Sequence, residues 1–284
     1  MMRALAILVL LAAPAMAEVV LHNGRVIWSV DQDNFGGFSG IDIQSNGSFV
    51  ALSDRATAFT GLLEFTGGIL TGISLDETFS LKDSQGKALD KRNTDSEGVA
   101  VLDDGSFLIS FESNDRIMHH KTLDGPGEFL PKYPDFSGLS FNNGLEALAV
   151  GSDGTVYAIP EINGTETSGI PIYRLRGEIW DTDLKLPYDD IFSPTGADIG
   201  PDGFLYYLDR SFEMFGGFNA RIRRVALEPD AIPETLHEFG LTTNNNFEGI
   251  SVWADATGQN HMTVISDDNF NFFQSTQIVD FLLN

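Results

Sequence analysis

Five stretches of this chain repeat one short design, and that repetition limits the available folds more than any other feature. "GIDIQSNGSFVALSDR" from Gly40, "GVAVLDDGSFLISFES" from Gly98, "ALAVGSDGTVYAIPEI" from Ala147 and "GADIGPDGFLYYLDRS" from Gly196 align without gaps. In each, a small residue opens an apolar run, and seven positions on comes the turn glycine of Asn46-Gly47, Asp104-Gly105, Asp153-Gly154 or Asp202-Gly203. An Asn-Gly or Asp-Gly pair between alternating apolar runs is a strong hairpin signal, because these residues tolerate the left-handed backbone that the turn requires. A fifth copy, "GISVWADATGQNHMTVISDD" from Gly249, reads as the same hairpin with a loop about four residues longer.

The starts at 40, 98, 147, 196 and 249 give a period of roughly 50 residues, a spacing typical of propellers, solenoids and arrays. Further strand-like pieces between the hairpins, such as 61–65, 170–175 and 220–227, leave room for four strands per repeat, the content of a propeller blade. No convincing amphipathic helix interrupts them, which disfavours helical solenoids and βαβ folds. The expectation is an all-β propeller of five four-stranded blades, with six as the alternative if the long interval from Gly40 to Gly98 holds a degenerate one. The last repeat is one strand short, and 19–28 has no partner; pairing that N-terminal strand with the C-terminal blade would close the ring without free edges.

Met1-Met2-Arg3, the apolar run Ala4 to Ala13 and the small residues Ala15-Met16-Ala17 read as a signal peptide over 1–17. The apolar run is well short of the roughly 20 residues of a membrane span. A periplasmic or secreted single domain over 18–284 is expected, soluble and monomeric after cleavage. Cysteine is absent, so neither disulfides nor thiol chemistry is available. The net charge is −24, or −25 without Arg3, and argues against nucleic acid or anionic lipid as partners.

Those acids recur at fixed places. The residue before the first strand of a hairpin and the residue after its second strand lie at the same end. The spacing therefore groups Glu97 with Glu112, Glu146 with Glu161, Ser39 with Asp54, Thr195 with Arg210, and Glu248 with Asp267. If the first strands line the channel, all of these gather at one mouth, with Asp209 beside Arg210. Two like charges about 4 Å apart repel by about 1 kcal/mol in water and about 4 kcal/mol at an effective dielectric near 20, so such a ring calls for a counter-ion. Hard oxygen ligands without cysteine suit Ca²⁺ first and Mg²⁺ second. The plainer alternative is that the acids only accept hydrogen bonds from turn amides. Glu97, Glu146, Glu248, Asp267 and Asp54 are the candidate metal ligands, and Glu112 and Glu161 the candidate general bases. Arg55 and Arg210, with Asp268, Asn269 and Gln274 of the C-terminal loop, are the candidate substrate contacts. Gly-x-Ser-x-Gly and Gly-x-x-x-x-Gly-Lys motifs are both missing.

The segments "FSGIDI", "DSEGVAVLDDGSFLISFE", "NNGLEALAVGSDGTVYAIPE", "YYLDRSF" and "NNNFEGISV" with "VISDDNFNFFQSTQIVDFLL" resemble the bacterial phytase-like family, known as esterase-like activity of phytase, from about residue 35 to the C-terminus. The resemblance implies a β-propeller, export and hydrolysis of a phosphoester or other ester. β-Propeller phytases hold a heavily phosphorylated substrate with several lysines and arginines; here only Arg55 and Arg210 are clear cations at the mouth, which argues against phytate itself, and a small-molecule anionic ester is the expected substrate. Three functions follow as expectations. They are a Ca²⁺- or Mg²⁺-dependent hydrolase, a non-catalytic ligand- or partner-binding propeller with a structural metal, and, less favoured, a lactonase-like or sugar-oxidising enzyme.

Overall fold

The computed structural model describes residues 20–133, 144–161 and 169–284, so the expected leader over 1–17 lies outside the described residues. The first strand, β1 (Val20–Ile27), stands apart from four blades that follow in order. Blade 1 is β2 (Phe38–Ile43), β3 (Ser48–Ser53), β4 (Thr57–Thr66) and β5 (Ile69–Ser80). Blade 2 is β6 (Ser96–Val101), β7 (Phe107–Phe111), β8 (Arg116–His120) and β9 (Gly127–Phe129). Blade 3 is β10 (Leu145–Val150), β11 (Val156–Pro160), β12 (Ile170–Arg176) and β13 (Ile179–Leu186). Blade 4 is β14 (Ser193–Ile199), β15 (Leu205–Glu213), β16 (Gly217–Val225) and β17 (Glu234–Glu238). Blade 5 has β18 (Phe247–Ala254), β19 (Asn260–Ser266) and β20 (Gln277–Leu283), and β1 completes it as the outermost strand.

The ring is thus a five-bladed antiparallel β-propeller closed by its N-terminal strand, with Val20 opposite Leu283 and Ile27 opposite Gln277. There is no sixth blade between Gly40 and Gly98. That interval is taken up by the long β4 and β5 and by the connection over 81–95, whose Asp83 N–H donates to the Lys87 carbonyl in a tight turn.

Each first hairpin turns on the same five-residue loop. Gln44, Leu102, Gly151 and Gly200 donate their N–H to the carbonyls of Ser48, Ser106, Thr155 and Phe204, and the glycines at 47, 105, 154 and 203 sit at φ between +78° and +82°. The fifth hairpin keeps this loop: Asp255 N–H bonds the Gln259 carbonyl, and Gly258 lies at φ +86°. Its four extra residues lengthen β18 and β19 instead of the loop, a correction to the spacing argument.

The small residue that opens each repeat is explained at the axis, where five first strands converge. A methyl group on Gly196 would lie 2.1 Å from the Glu248 carbonyl oxygen, one on Gly98 2.5 Å from Leu148 Cβ, and one on Gly249 2.9 Å from Gly40 Cα. The strands leave an axial cavity of only about 10 Å³ among Gly40, Gly98, Gly196 and Gly249, about the room of one water molecule. The axis is a packed core, not a conduit.

Between blades the apolar residues form continuous clusters. The link after β1 packs Trp28 against Phe38 (ring centroids 5.0 Å) and Phe49 (5.4 Å), with Phe35 and Phe59 alongside. At the closure, buried Asp280 on β20 accepts hydrogen bonds from Asn23 of β1 (2.7 Å) and Thr263 of β19 (2.6 Å), and His261 Nδ1 lies 2.8 Å away. Trp253 stacks on His261 at 4.4 Å and donates its indole N–H to Thr263 (3.0 Å), so a satisfied polar network locks the strand register.

Two predictions follow from the packing. Deleting residues 277–284 removes the strand that bridges β19 to β1, and the truncated chain should show no cooperative thermal transition. Gly196→Ala should lower stability by about 1–3 kcal/mol, as expected of overpacking where backbone is the obstacle. A fully stable Gly196→Ala protein in urea titration would contradict the packed axis.

Candidate functional site at the acid-lined mouth

A β-bulge opens the first strand of every blade. The register skips at Phe38/Gly40, Ser96/Val99, Leu145/Ala147, Pro194/Gly196 and Phe247/Gly249. The residues displaced from the ladder are Ser39, Glu97, Glu146, Thr195 and Glu248, and a bulge re-aims such a side chain. In two blades the displaced residue is a hydroxyl bonded to the neighbouring blade: Ser39 donates to the Ser96 carbonyl (2.7 Å) and Thr195 to the Phe247 carbonyl (3.3 Å). In the other three it is a glutamate at the channel mouth.

The bulge also changes the cross-strand partners. Glu112 donates its N–H to the Asp95 carbonyl (2.9 Å), Asp54 to Gly37 (2.8 Å), Glu161 to Gly144 (3.0 Å) and Asp267 to Asn246 (2.8 Å). The residue facing each of these is therefore two positions earlier than the spacing suggested. Asp95 faces Glu112 and Asn246 faces Asp267, and the sequence argument missed both. Their signal was present in Asp95-Ser96-Glu97-Gly98 and Asn246-Phe247-Glu248-Gly249, a polar residue two places before the bulge glutamate.

Electrostatics ties these carboxylates into one group. Burial, then repulsion from Asp95, Glu248, Glu112 and Asp54, pushes Glu97 well above the ordinary carboxylate range. Burial and then Glu97, Glu161, Glu112 and Glu248 do the same to Glu146. Glu112 is raised to about 7 by partial burial, against a hydrogen bond from the Gly144 N–H, with Asp95 and Glu161 adding to the rise. Burial raises Asp54 to about 6, with Arg55 opposing, and burial with Glu248 raises Asp267 to about 8.

The cations answer only part of this. Arg210 bonds the Glu248 carboxylate and the Asn246 side-chain oxygen. Burial works against its charge, yet Glu248, Glu161, Glu146 and Asp267 together raise its pKa. Exposed Arg55 lies 3.2 Å over the Phe270 ring. Asp209 is already neutralised: its carboxylate is held by Arg221 (2.6 and 2.8 Å) on the adjacent strand.

Hydrogen bonding sorts the candidates. Asp268 accepts from the N–H groups of Gly37 (3.0 Å) and Phe270 (2.9 Å) and from the Thr276 hydroxyl (3.2 Å), so it ties the C-terminal loop to the β1–β2 link. Asn269 donates to Gln274 (3.2 Å), and Gln274 donates to the Thr243 carbonyl (2.8 Å), which engages both amides within the loop wall. Asp267 accepts from the Asn269 N–H (2.6 Å) and from Asn246 (3.1 Å). By contrast, no hydrogen-bond donor among the described residues reaches the carboxylates of Glu97 or Glu146.

Glu97 belongs to the one grouping among the described residues that fits an ion. Asp95, Glu97 and Glu112 each offer a carboxylate oxygen, all within 4.8 Å of one another, among the described residues. Ca²⁺ takes oxygen ligands at about 2.3–2.6 Å, so a single ion can touch all three. Glu97 was expected as a ligand, Glu112 as a base and Asp95 not at all; Glu248, bonded to Arg210, and Asp267, already accepting two bonds, lie outside this grouping.

A five-bladed propeller with an acid-lined mouth, where Arg210 bonds one of the glutamates, is the class that fold and site define. The chain belongs to the phytase-like family: residues 33–270 match the family model described as "Esterase-like activity of phytase". No curated protein matches the chain in sequence. Among solved structures, the PQQ-bound aldose sugar dehydrogenase from Streptomyces coelicolor is similar with a TM-score of 0.52 and 13% identity, over 96% of this chain and 100% of that one. An α-L-arabinofuranosidase from Podospora anserina, solved with cellotriose, gives a TM-score of 0.50 and 11% identity over 94% of this chain and 96% of that one. At such identities the likeness is one of fold alone.

A raised carboxyl pKa favours the folded state at low pH, where the group is protonated, and that advantage fades as pH climbs through the folded value. With Asp54 near 6, Glu112 near 7 and Asp267 near 8, the ion-free protein should lose melting temperature steadily between pH 5 and pH 8. Added Ca²⁺ should restore it, most strongly at pH 8. Scanning fluorimetry across pH, with and without chelator, checks this; a melting curve flat from pH 5 to 8 in chelator would contradict the repulsive cluster.

Proposed function

We propose that this chain is an exported, divalent-cation-dependent hydrolase that acts on a phosphate or other ester at the acid-lined mouth. The observation that carries the reading is the grouping of Asp95, Glu97 and Glu112, with Glu146, which no donor among the described residues reaches, electrostatically coupled to Glu97 and Glu112, and with Arg210 coupled to Glu146 and Glu248. Ca²⁺, or Mg²⁺ in its place, would be held by Asp95, Glu97 and Glu112; when bound it polarises an ester oxygen and acidifies water. Arg210, already fixed by Glu248 and Asn246, is placed to orient an anionic oxygen, for which its planar fork is suited. Glu161, at the end of β11 and electrostatically coupled to Glu112 and Glu146, is the carboxylate left to take a proton from water. Glu112, given that task by the spacing argument, stands instead among the proposed ligands.

Export is part of the same proposal: the leader over 1–17 would be cleaved after Ala17, leaving a monomer that begins at Glu18 in the periplasm or outside the cell. Millimolar free Ca²⁺ outside the cytosol would then load a site of modest affinity.

Turnover of generic aryl phosphates and acyl esters should appear with Ca²⁺ or Mg²⁺ and vanish with chelator. Glu97→Gln should cut kcat at least a hundredfold and Arg210→Lys should raise KM about tenfold, both while melting near the parent temperature. Saturable Ca²⁺ binding with no turnover on any ester would leave the non-catalytic binding propeller as the reading.

A further inference from the structure

Beside the mouth stands an apolar wall that neither folding nor the ion site explains. The hairpin of β15 and β16 rises past the ladder and carries Phe212 (63% exposed), Met214 (79%) and Phe215 (99%) at its tip. The loop between β19 and β20 brings Phe273 (72% exposed) from the facing side. Together with Phe218, Asn271 and Gln274 they enclose a groove of about 530 Å³, within the size range of small-molecule clefts. So many large apolar groups clustered in water mark a recognition surface.

The groove is built. The Phe218 N–H donates to the Thr242 carbonyl (2.8 Å) and the Thr242 N–H returns the bond (2.9 Å), which pins the tip end of the hairpin to the β17–β18 connection. Gln274 braces the opposite wall through Thr243 and Asn269. It is also continuous with the acid site, because the Arg210 guanidinium lies 5.2 Å over the Phe218 ring while bonding Glu248. A molecule whose polar head reaches Arg210 therefore has its next few atoms directed over Phe218 and between Phe212 and Phe273.

We propose that this groove is the apolar subsite of the mouth and that it takes an aromatic ring, so that the preferred substrate is an aryl ester. Flat phenylalanine walls favour a ring, since offset aromatic pairs gain beyond the area they bury. The substrate assignment rests on the hydrolase reading; the ring-binding groove does not.

The test separates the two. 1-Naphthol carries a ring and no ester, and its fluorescence is followed as it is titrated with the full-length protein in Ca²⁺. The expected result is saturable binding that weakens at least tenfold in the Phe215→Ser/Phe273→Ser variant, whose melting temperature stays unchanged because both side chains are exposed. Absent saturable binding, or equal binding by the variant, overturns the subsite. Turnover of 1-naphthyl and methyl esters is then compared: the naphthyl ester should show at least a tenfold higher kcat/KM, lost in the variant. Naphthol binding with no turnover of either ester keeps the groove and fails the hydrolase reading; equal turnover of both esters overturns the substrate assignment.

Discussion

The close approach of five strands at the axis governs the rest of this molecule. Backbones can converge there only where Cβ is absent or small, so the repeat opens on Gly40, Gly98, Ala147, Gly196 and Gly249. Just before each of these the strand sheds one residue from its ladder as a bulge, and three of the five bulges carry glutamate. Packing thus fixes where the glutamates stand, and their mutual repulsion is built into the scaffold. The blades sustain this because their interfaces and the Asn23–Asp280–Thr263 network at the closure are well satisfied.

The same geometry divides labour around the mouth. Where the bulge residue is Ser39 or Thr195, its hydroxyl ties one blade to the next. Where it is Glu248, Arg210 meets it. Glu97 and Glu146 lack such a donor among the described residues, and Glu97 belongs with Asp95 and Glu112 to the only grouping of oxygens there that suits a hard cation. At the far end of the first strands the acids do act as simple acceptors: Asp42 takes the Val101 N–H (2.8 Å) and Asp198 the Val252 N–H (2.6 Å), each joining adjacent blades. The plainer reading of channel acids therefore accounts for these two at the far end of the axis, while Glu97 and Glu146 at the mouth meet no such donor among the described residues.

The fold was legible in the sequence because turn glycines and period-two strands are local signals that survive without tertiary knowledge. Ring closure by β1 was legible for the same reason, as a strand with no partner beside a blade with a gap. The site was legible only in part. Spacing brought Glu97, Glu146, Glu248 and Asp267 to one mouth, but it treated the hairpins as regular ladders. A bulge costs one residue of register and the spacing argument had set its pairs one residue off the ladder, so Asp95 went unnoticed and Glu112 was separated from the ligands. Asp268, Asn269 and Gln274 looked available because the loop folds back on itself, with Asp268 bonded to Thr276 and Asn269 to Gln274, and meets Gly37 and the Thr243 carbonyl from distant segments that no local pattern reveals. That Asp209 is paired with Arg221 across its own blade was not legible in the spacing either.

The central claim is that the mouth holds a divalent cation on Asp95, Glu97 and Glu112. Calorimetric titration of chelator-treated protein with Ca²⁺ at pH 7.5 or so, beside the Asp95→Asn variant, tests it most directly. The account predicts saturable binding to the parent protein and a loss of at least tenfold in affinity in Asp95→Asn, a variant whose side chain keeps the same size. Equal Ca²⁺ binding by both proteins, or none by either, would contradict it.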